Sequence, residues 1–247
     1  MSLDEIEVPG SSISFSCMTL KVDSLEALYK AIREEVESFC IDPERAGFHD
    51  LDFDGRLIRG YYSVIVPFEV EHLTEGITTK ILLKRIDSCE FFALDGILFA
   101  TGKTTAQKNL ARGLTPLAGF GVTNIEHDFH QMSQFHDRLS DVKAIVLTNP
   151  KDKEIRRARL AGRIESYTEY NIVDPRNHGI ESVQGIVDTP LGPITVTVGR
   201  KGALRLGVKK GFVMTIDCML WLMALIREEK PPESASIDGG KQTPDSD

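Results

Sequence analysis

CEFFALDGILFATGKTTAQKNLARGLTPLAGFGV, residues 89–122, decides how this chain is read. It opens on a β-prone run ending at Leu94, turns at Asp95-Gly96, returns through ILFATG and enters a helix over TTAQKNLARGLTPL. Asp-Gly between two apolar runs is a strong hairpin signal, because glycine accepts the positive φ of a tight turn without a Cβ clash. Gly102-Lys103-Thr104 at the strand–helix corner invites comparison with a phosphate loop, GxxxxGK[ST]. The spacing argues against it. Five residues, Ile97 to Thr101, separate Gly96 from Gly102 where the motif has four, and those five read as strand. No apolar strand ending in Asp follows to hold Mg²⁺; AIVLTNP ends in Asn149-Pro150.

Outward from this hairpin and helix, the same grammar repeats. On the N-terminal side, SISFSCMTLKV (residues 12–22) reads as a strand. Asp23-Ser24 then caps a helix with Leu25, Leu28, Ile32, Val36 and Phe39 on one face. Residues 57–73 read as a strand, with Pro67 marking an edge or a bulge, and residues 77–94 as one long strand or two. On the C-terminal side come a strand over 119–129, a short helix over 130–141, and strands over 142–150, 154–173, 182–189 and 192–208. Lys201-Gly202 supplies a turn in the last of these, and an apolar helix spans 212–226. The turn glycines Gly96 and Gly202 thus head two similar units, which predicts an α+β fold. It would comprise two βαββββα-like repeats forming a curved antiparallel sheet with helices packed on one face. The expected boundaries are a flexible arm at 1–10, a first repeat at 11–118, a second at 119–230 and a disordered acidic tail at 231–247, PPESASIDGGKQTPDSD.

The hairpin and helix at 89–122 resemble the corresponding part of the TATA-binding-protein repeat. The matching features are Phe92, the turn glycine Gly96, Thr101-Gly102, the helix from Gln107 to Leu114, and Gly119-Phe120 opening the next strand; residues 194–225 form a degenerate second copy. The resemblance implies a nucleic-acid-binding sheet face, with Phe92 or its neighbour Phe91 at the position from which that family inserts a wedge into DNA. The second copy carries Thr197 and Val198 where a second wedge would stand, so bending of the TATA type is not implied.

The net charge of −8 is unevenly distributed. Residues 1–141 carry 13 Lys and Arg against 23 Asp and Glu, while residues 142–210 carry 13 against 7. An acidic total disfavours indiscriminate nucleic-acid binding, but a basic second half leaves room for a local anion-binding face. Arg157, Arg159 and Arg163 alternate along one strand. With Tyr167, Arg200, Lys201, Arg205, Lys209 and Lys210 they would give a basic face with aromatic character, suited to phosphate contact and base stacking. The plainer reading of the same arginines is a guarded edge strand.

A competing site is EHDFHQMSQFHD, where His127, His130, His136 and Asp137 could hold a metal for a hydrolase or nuclease. No HExxH or GxSxG is present, and His49 can be drawn beside Cys17 or Cys40 only by assumption. The four cysteines are scattered, which suits reduced, buried thiols. With no long apolar span and no signal-like start, the chain reads as cytoplasmic. The leading expectation is a non-enzymatic binding module without a cofactor, whose partner is nucleic acid or, failing that, a protein assembly.

Overall fold

A computed structural model describes residues 2–74, 77–117, 121–148, 156–164 and 179–227. The elements in chain order are β1 (Glu5–Glu7), β2 (Ser12–Leu20), α1 (Leu25–Glu35), β3 (Gly47–Phe53), β4 (Ile58–Thr74), β5 (Ile77–Leu94), β6 (Gly96–Gly102), α2 (Thr104–Leu114), β7 (Val122–Asn124), α3 (Phe129–Asp137), β8 (Asp141–Thr148), β9 (Arg157–Ile164), β10 (Gly179–Thr189), β11 (Gly192–Gly199), β12 (Ala203–Gly207), β13 (Val213–Thr215) and α4 (Ile216–Arg227). The fold is α+β, and the chain forms two compact units. The first holds residues 13–126 and 201–205; the second holds 2–12, 127–200 and the chain from 206 onward.

The first unit is built on antiparallel strands in the order β3-β4-β5-β6-β2, with β7 also paired to β2. Gly96 takes φ +80° at the β5–β6 turn, as the Asp-Gly signal requires. Ser24 caps α1 by accepting from the Ala27 N–H. α1 buries Leu28 and Ile32, and α2 buries Ala106, Leu110 and Leu114 at helical spacing. Both pack on one sheet face, over Met18, Leu20, Phe91, Leu98 and Ala100. Phe48 joins the same cluster, its ring edge-on to Tyr62 at 4.8 Å and to Phe91 at 5.8 Å.

β4 and β5 stay paired from Ile58–Ala93 out to Thr74–Ile77, whereas β3 leaves β4 after Ser63. Pro67 therefore lies on a strand edge with no further partner, where its missing N–H costs nothing. The two-stranded extension leaves Val70, Leu73, Ile81, Leu82, Leu83 and Ile86 exposed.

In the second unit, antiparallel strands run in the order β11-β10-β8-β9, and β1 pairs with β13. The latter pairing corrects the reading of the first ten residues as a flexible arm. Ile6 and Val8 are buried, the Val8 N–H donates to Phe212 and the Ile216 N–H to Asp4. The two apolar residues alternate with acids, a period-2 pattern masked by the short length of the strand. Two boundaries also move. Val213–Thr215 form a strand, so the last helix begins at Ile216. The strand expected over 119–129 is limited to Val122–Asn124 among the described residues, because Asp128 and Gln131 form a reciprocal capping box that starts α3 at Phe129. α4 buries Ile216, Cys218, Met219, Leu222, Met223, Ala224 and Ile226, as its nearly all-apolar sequence requires.

The expected disordered tail lies outside the described residues. Among those residues no helix is long and apolar enough to cross a membrane. Cys17, Cys89 and Cys218 are buried free thiols, and Cys40 is a half-buried one. Burial pushes the Cys89 thiol up to about 12, outweighing a backbone hydrogen bond at Tyr62 that acts the other way.

Candidate nucleic-acid interface

Side chains alternate across each strand of the second unit, so one face must be apolar and the other polar. Ile145, Leu147, Val183, Val196 and Val198 are buried, and α3 packs against β10. Arg157, Arg159, Val146, Ser182, Gln184 and Thr197 instead line a groove of about 410 Å³, with Ala144 beneath them. The register explains the assembly. Arg159 pairs with Val146 and Val146 with Ser182, while Ala144 pairs with Gln184 and Gln184 with Thr197. Two rows thus cross β9, β8, β10 and β11, Arg159–Val146–Ser182–Gly199 and Ala161–Ala144–Gln184–Thr197, with Arg157 two residues before Arg159 on β9.

Arg157 is held by Glu181, with Nε 2.9 Å from Oε2 and Nη2 3.2 Å from Oε1. Its side chain is 65% exposed, so the pair is worth about 1 kcal/mol or less and a phosphate can compete for the guanidinium. Arg159 holds no carboxylate among the described residues.

The other expected residues scatter. Arg163 is on β9, though its side chain is outside the described set, as is all of Tyr167. Arg200, Lys209 and Lys210 are exposed on turns of the second unit. Lys201 and Arg205 belong to the first unit, where Lys201 lines a different groove beside α2.

Phe92 is a correction. It is fully buried, as is Phe91 on the opposite face of β5. Phe92 pairs with Phe99 across the ladder, and the Arg59 guanidinium lies 5.1 Å from its ring centre. Arg59 is itself fixed to Glu90 at 2.7 Å with both side chains mostly buried. No wedge is presented at this position.

The Gly-Lys-Thr corner is likewise structural. Gly102 has φ +117°, and a Cβ there would stand 2.6 Å from the Ser88 carbonyl oxygen and 2.9 Å from the Cys89 Cα. The residue is glycine so that β6 can close on β5 before α2 begins.

The histidine-rich segment does not converge. His127 is buried at the entry to α3, with no hydrogen-bond partner at Nδ1. His130 is exposed and meets Gln134 at 2.9 Å, and His136 meets Asp137 at 3.0 Å. Among the described residues no group of three or more His, Cys, Asp or Glu could hold a metal ion. Burial drives the His127 pKa down to about 4, with the Arg227 charge adding to the effect and Asp128 opposing it.

One cluster escaped the sequence reading. His49, on β3, bonds through Nδ1 to Asp50 at 2.8 Å and through Nε2 to the Ser63 hydroxyl at 2.9 Å; Ser63 meets Ser88 at 2.6 Å. His49 stacks on Tyr61, with ring centres 5.6 Å apart. Neither Cys17 nor Cys40 is its partner. The order Asp–His–Ser resembles a nucleophile relay, but Ser63 is only 1% exposed, so its hydroxyl ties β3, β4 and β5 together and is withheld from solvent. Sequence could not align these residues, because their approach depends on the registers of β3 with β4 and of β4 with β5, which no local pattern sets.

The sequence matches no protein-family model and no curated protein.

Proposed function

We propose that this protein is a non-enzymatic binding module that engages nucleic acid through the open sheet face of its second unit. The observation that carries the reading is the single groove shared by Arg157, Arg159, Ser182, Gln184 and Thr197. Two guanidinium groups offer forked donors to phosphate oxygens, and the neighbouring hydroxyl and amide groups add neutral hydrogen bonds along a strand. The polarity of the face suits contact with a phosphodiester backbone, whereas an apolar pocket would suit a small neutral ligand.

The duplicated architecture of the TATA-binding-like type belongs to the same proposal. Its support is the shared chain order. In the first half, β5, the turn at Gly96 and β6 lead to α2; in the second, β11, the turn at Gly202 and β12 lead through β13 to α4. With Phe92 buried and Thr197 in the second position, binding would proceed without wedge insertion.

The test is fluorescence anisotropy with short single- and double-stranded DNA and RNA at two salt concentrations. Binding should weaken with salt, with a log–log slope of about 0.7 for each phosphate neutralised on a single strand. Arg157→Ala/Arg159→Ala should reduce that slope and cost about tenfold or more in affinity. Absence of binding to every polynucleotide at low salt overturns the reading.

A second reading, a subunit of a protein assembly, is favoured by the exposed apolar side chains of the β4–β5 extension. A sedimentation profile showing one species across a wide concentration range removes self-association from it.

A further inference from the structure

A groove of about 370 Å³ lies on the first unit, between α2 and the strands beside it. Lys108 and Arg112 enter it from successive turns of α2, and Lys201 enters from the turn before β12. Thr104 and Asn124 add a hydroxyl and an amide, and Met18 and Val122 form apolar floor. Among the described residues no carboxylate lines it.

Three cations meet here within a unit rich in acids. Residues 1–141 carry an excess of ten acids, and Lys30, Arg45, Arg59, Lys80, Lys84 and Arg85 each hold a carboxylate. Lys108, Arg112 and Lys201 hold none among the described residues. Like charges at i,i+4 also cost an isolated helix roughly 0.2–0.5 kcal/mol, so the Lys108–Arg112 spacing is not explained by the stability of α2. Lys201 is fixed from outside the helix. The Cys17 N–H donates to the Gly202 carbonyl at 2.8 Å, and Gly202, at φ +75°, approaches β2 so closely that a Cβ would stand 2.5 Å from the Cys17 oxygen. Ser16 donates to Gln107 at 2.6 Å, bracing α2 against β2 at the groove wall.

We propose that this groove binds a phosphate ester of nucleotide size. Lys108, Arg112 and Lys201 hold the phosphate, and the organic portion rests on Met18 and Val122. The volume falls in the range of small-ligand sites, and charged donors around an apolar floor match a ligand with one anionic end. The phosphate could belong to a free nucleotide or to a strand, and the test separates the two. The proposal does not depend on the second unit's groove.

The experiment is calorimetric titration of the full chain with inorganic phosphate, adenosine monophosphate and a short oligonucleotide. Three variants accompany the wild type: Lys108→Gln/Arg112→Gln, Asn124→Glu, and Arg157→Ala/Arg159→Ala. Circular dichroism confirms that each is folded. Adenosine monophosphate should bind more tightly than phosphate alone. Lys108→Gln/Arg112→Gln should weaken it about tenfold or more, and Asn124→Glu, which sets a carboxylate at the rim, should also weaken it. Arg157→Ala/Arg159→Ala should leave it unchanged. If only the oligonucleotide binds, and the first two variants weaken it, the site stands and its phosphate comes from a strand. Nucleotide binding that survives both groove variants overturns the proposal. So does oligonucleotide binding that responds only to Arg157→Ala/Arg159→Ala, an outcome that leaves the reading of the second unit intact.

Discussion

Phe91 and Phe92 are neighbours on β5, lie on opposite faces, and are both fully buried. Thr197 and Val198 are neighbours on β11 in the second unit. There Val198 is buried while Thr197 lines an open groove. Strand alternation is the same in both; the difference is whether the second face is covered. Around Phe92 the strand of the first unit is covered on both faces. In the second unit the sheet face itself stays available. A residue type associated with binding is therefore informative only once the covering of its face is known.

Truncating one side chain in each pair gives the largest expected contrast. Phe92→Ala should cost about 3–5 kcal/mol, because it removes a buried ring and leaves a cavity under Arg59. Thr197→Ala should change stability by no more than about 0.5 kcal/mol. Urea unfolding of the two variants measures the contrast. A small loss for Phe92→Ala would mean that its face is free, and would restore the wedge position expected from the sequence.

His49 and His127 offer a second contrast. His49 in the first unit has partners at both ring nitrogens, whereas His127 in the second is buried with Nδ1 unpartnered. The folded state favours neutral His127, with a pKa of about 4 against the ordinary 6.5. Its unfolded form takes up a proton first as pH falls. Stability should be unaffected by this group above about pH 6.5, fall between about 6.5 and 4, and level off below, with a loss of order 3 kcal/mol. His127→Leu should flatten that part of the urea-midpoint profile. An unchanged slope in the variant would assign the acid sensitivity to other groups.

What the sequence disclosed follows the same division. Local chemistry is legible: Asp95-Gly96 marks a hairpin, Ser24 a helix start, and the apolar run 212–226 a buried helix, although its first residues form β13, because turn, cap and apolar pattern act over a few residues. Facing is not. Nothing within FFAL tells which of two phenylalanines meets solvent, since both are covered. β1 was overlooked because three residues carry too little periodicity, and its partner β13 lies more than two hundred positions away in sequence. Arg157 and Arg159 line one groove because residues two apart on a strand share a face. Lys201 was grouped with them on charge alone, and its association with Lys108 and Arg112 depends on tertiary approach.

The turn glycines refine the comparison at a smaller scale. Gly202 combines φ +75° with contact against Cys17, whereas Gly96 has φ +80° and open space around it. Gly96→Ala should carry only the conformational cost, roughly 1 kcal/mol. Gly202→Ala should carry that cost and a clash with backbone, so its loss should exceed that of Gly96→Ala in the same denaturation assay. Equal losses would mean that the turn before β12 can retreat from β2, and Lys201 would then not be held in its groove.

The smallest expected effect contrasts the starts of α2 and α3. α3 opens on the reciprocal pair of Asp128 and Gln131, whereas α2 opens on Lys103 with no side-chain cap and no acid in its first turn. Asp128→Ala should therefore cost about 1 kcal/mol. Lys103→Asp should raise stability by up to about 1 kcal/mol, since its backbone is already extended as a cap requires and a carboxylate there would meet free N–H groups. The pair is read by thermal unfolding of each single variant. A gain from Lys103→Asp would establish that the first turn of α2 has unmet hydrogen-bonding capacity in the free protein. If stability did not rise, those N–H groups would already be satisfied, and the absence of a cap at Lys103 would have no energetic consequence for the groove alongside it.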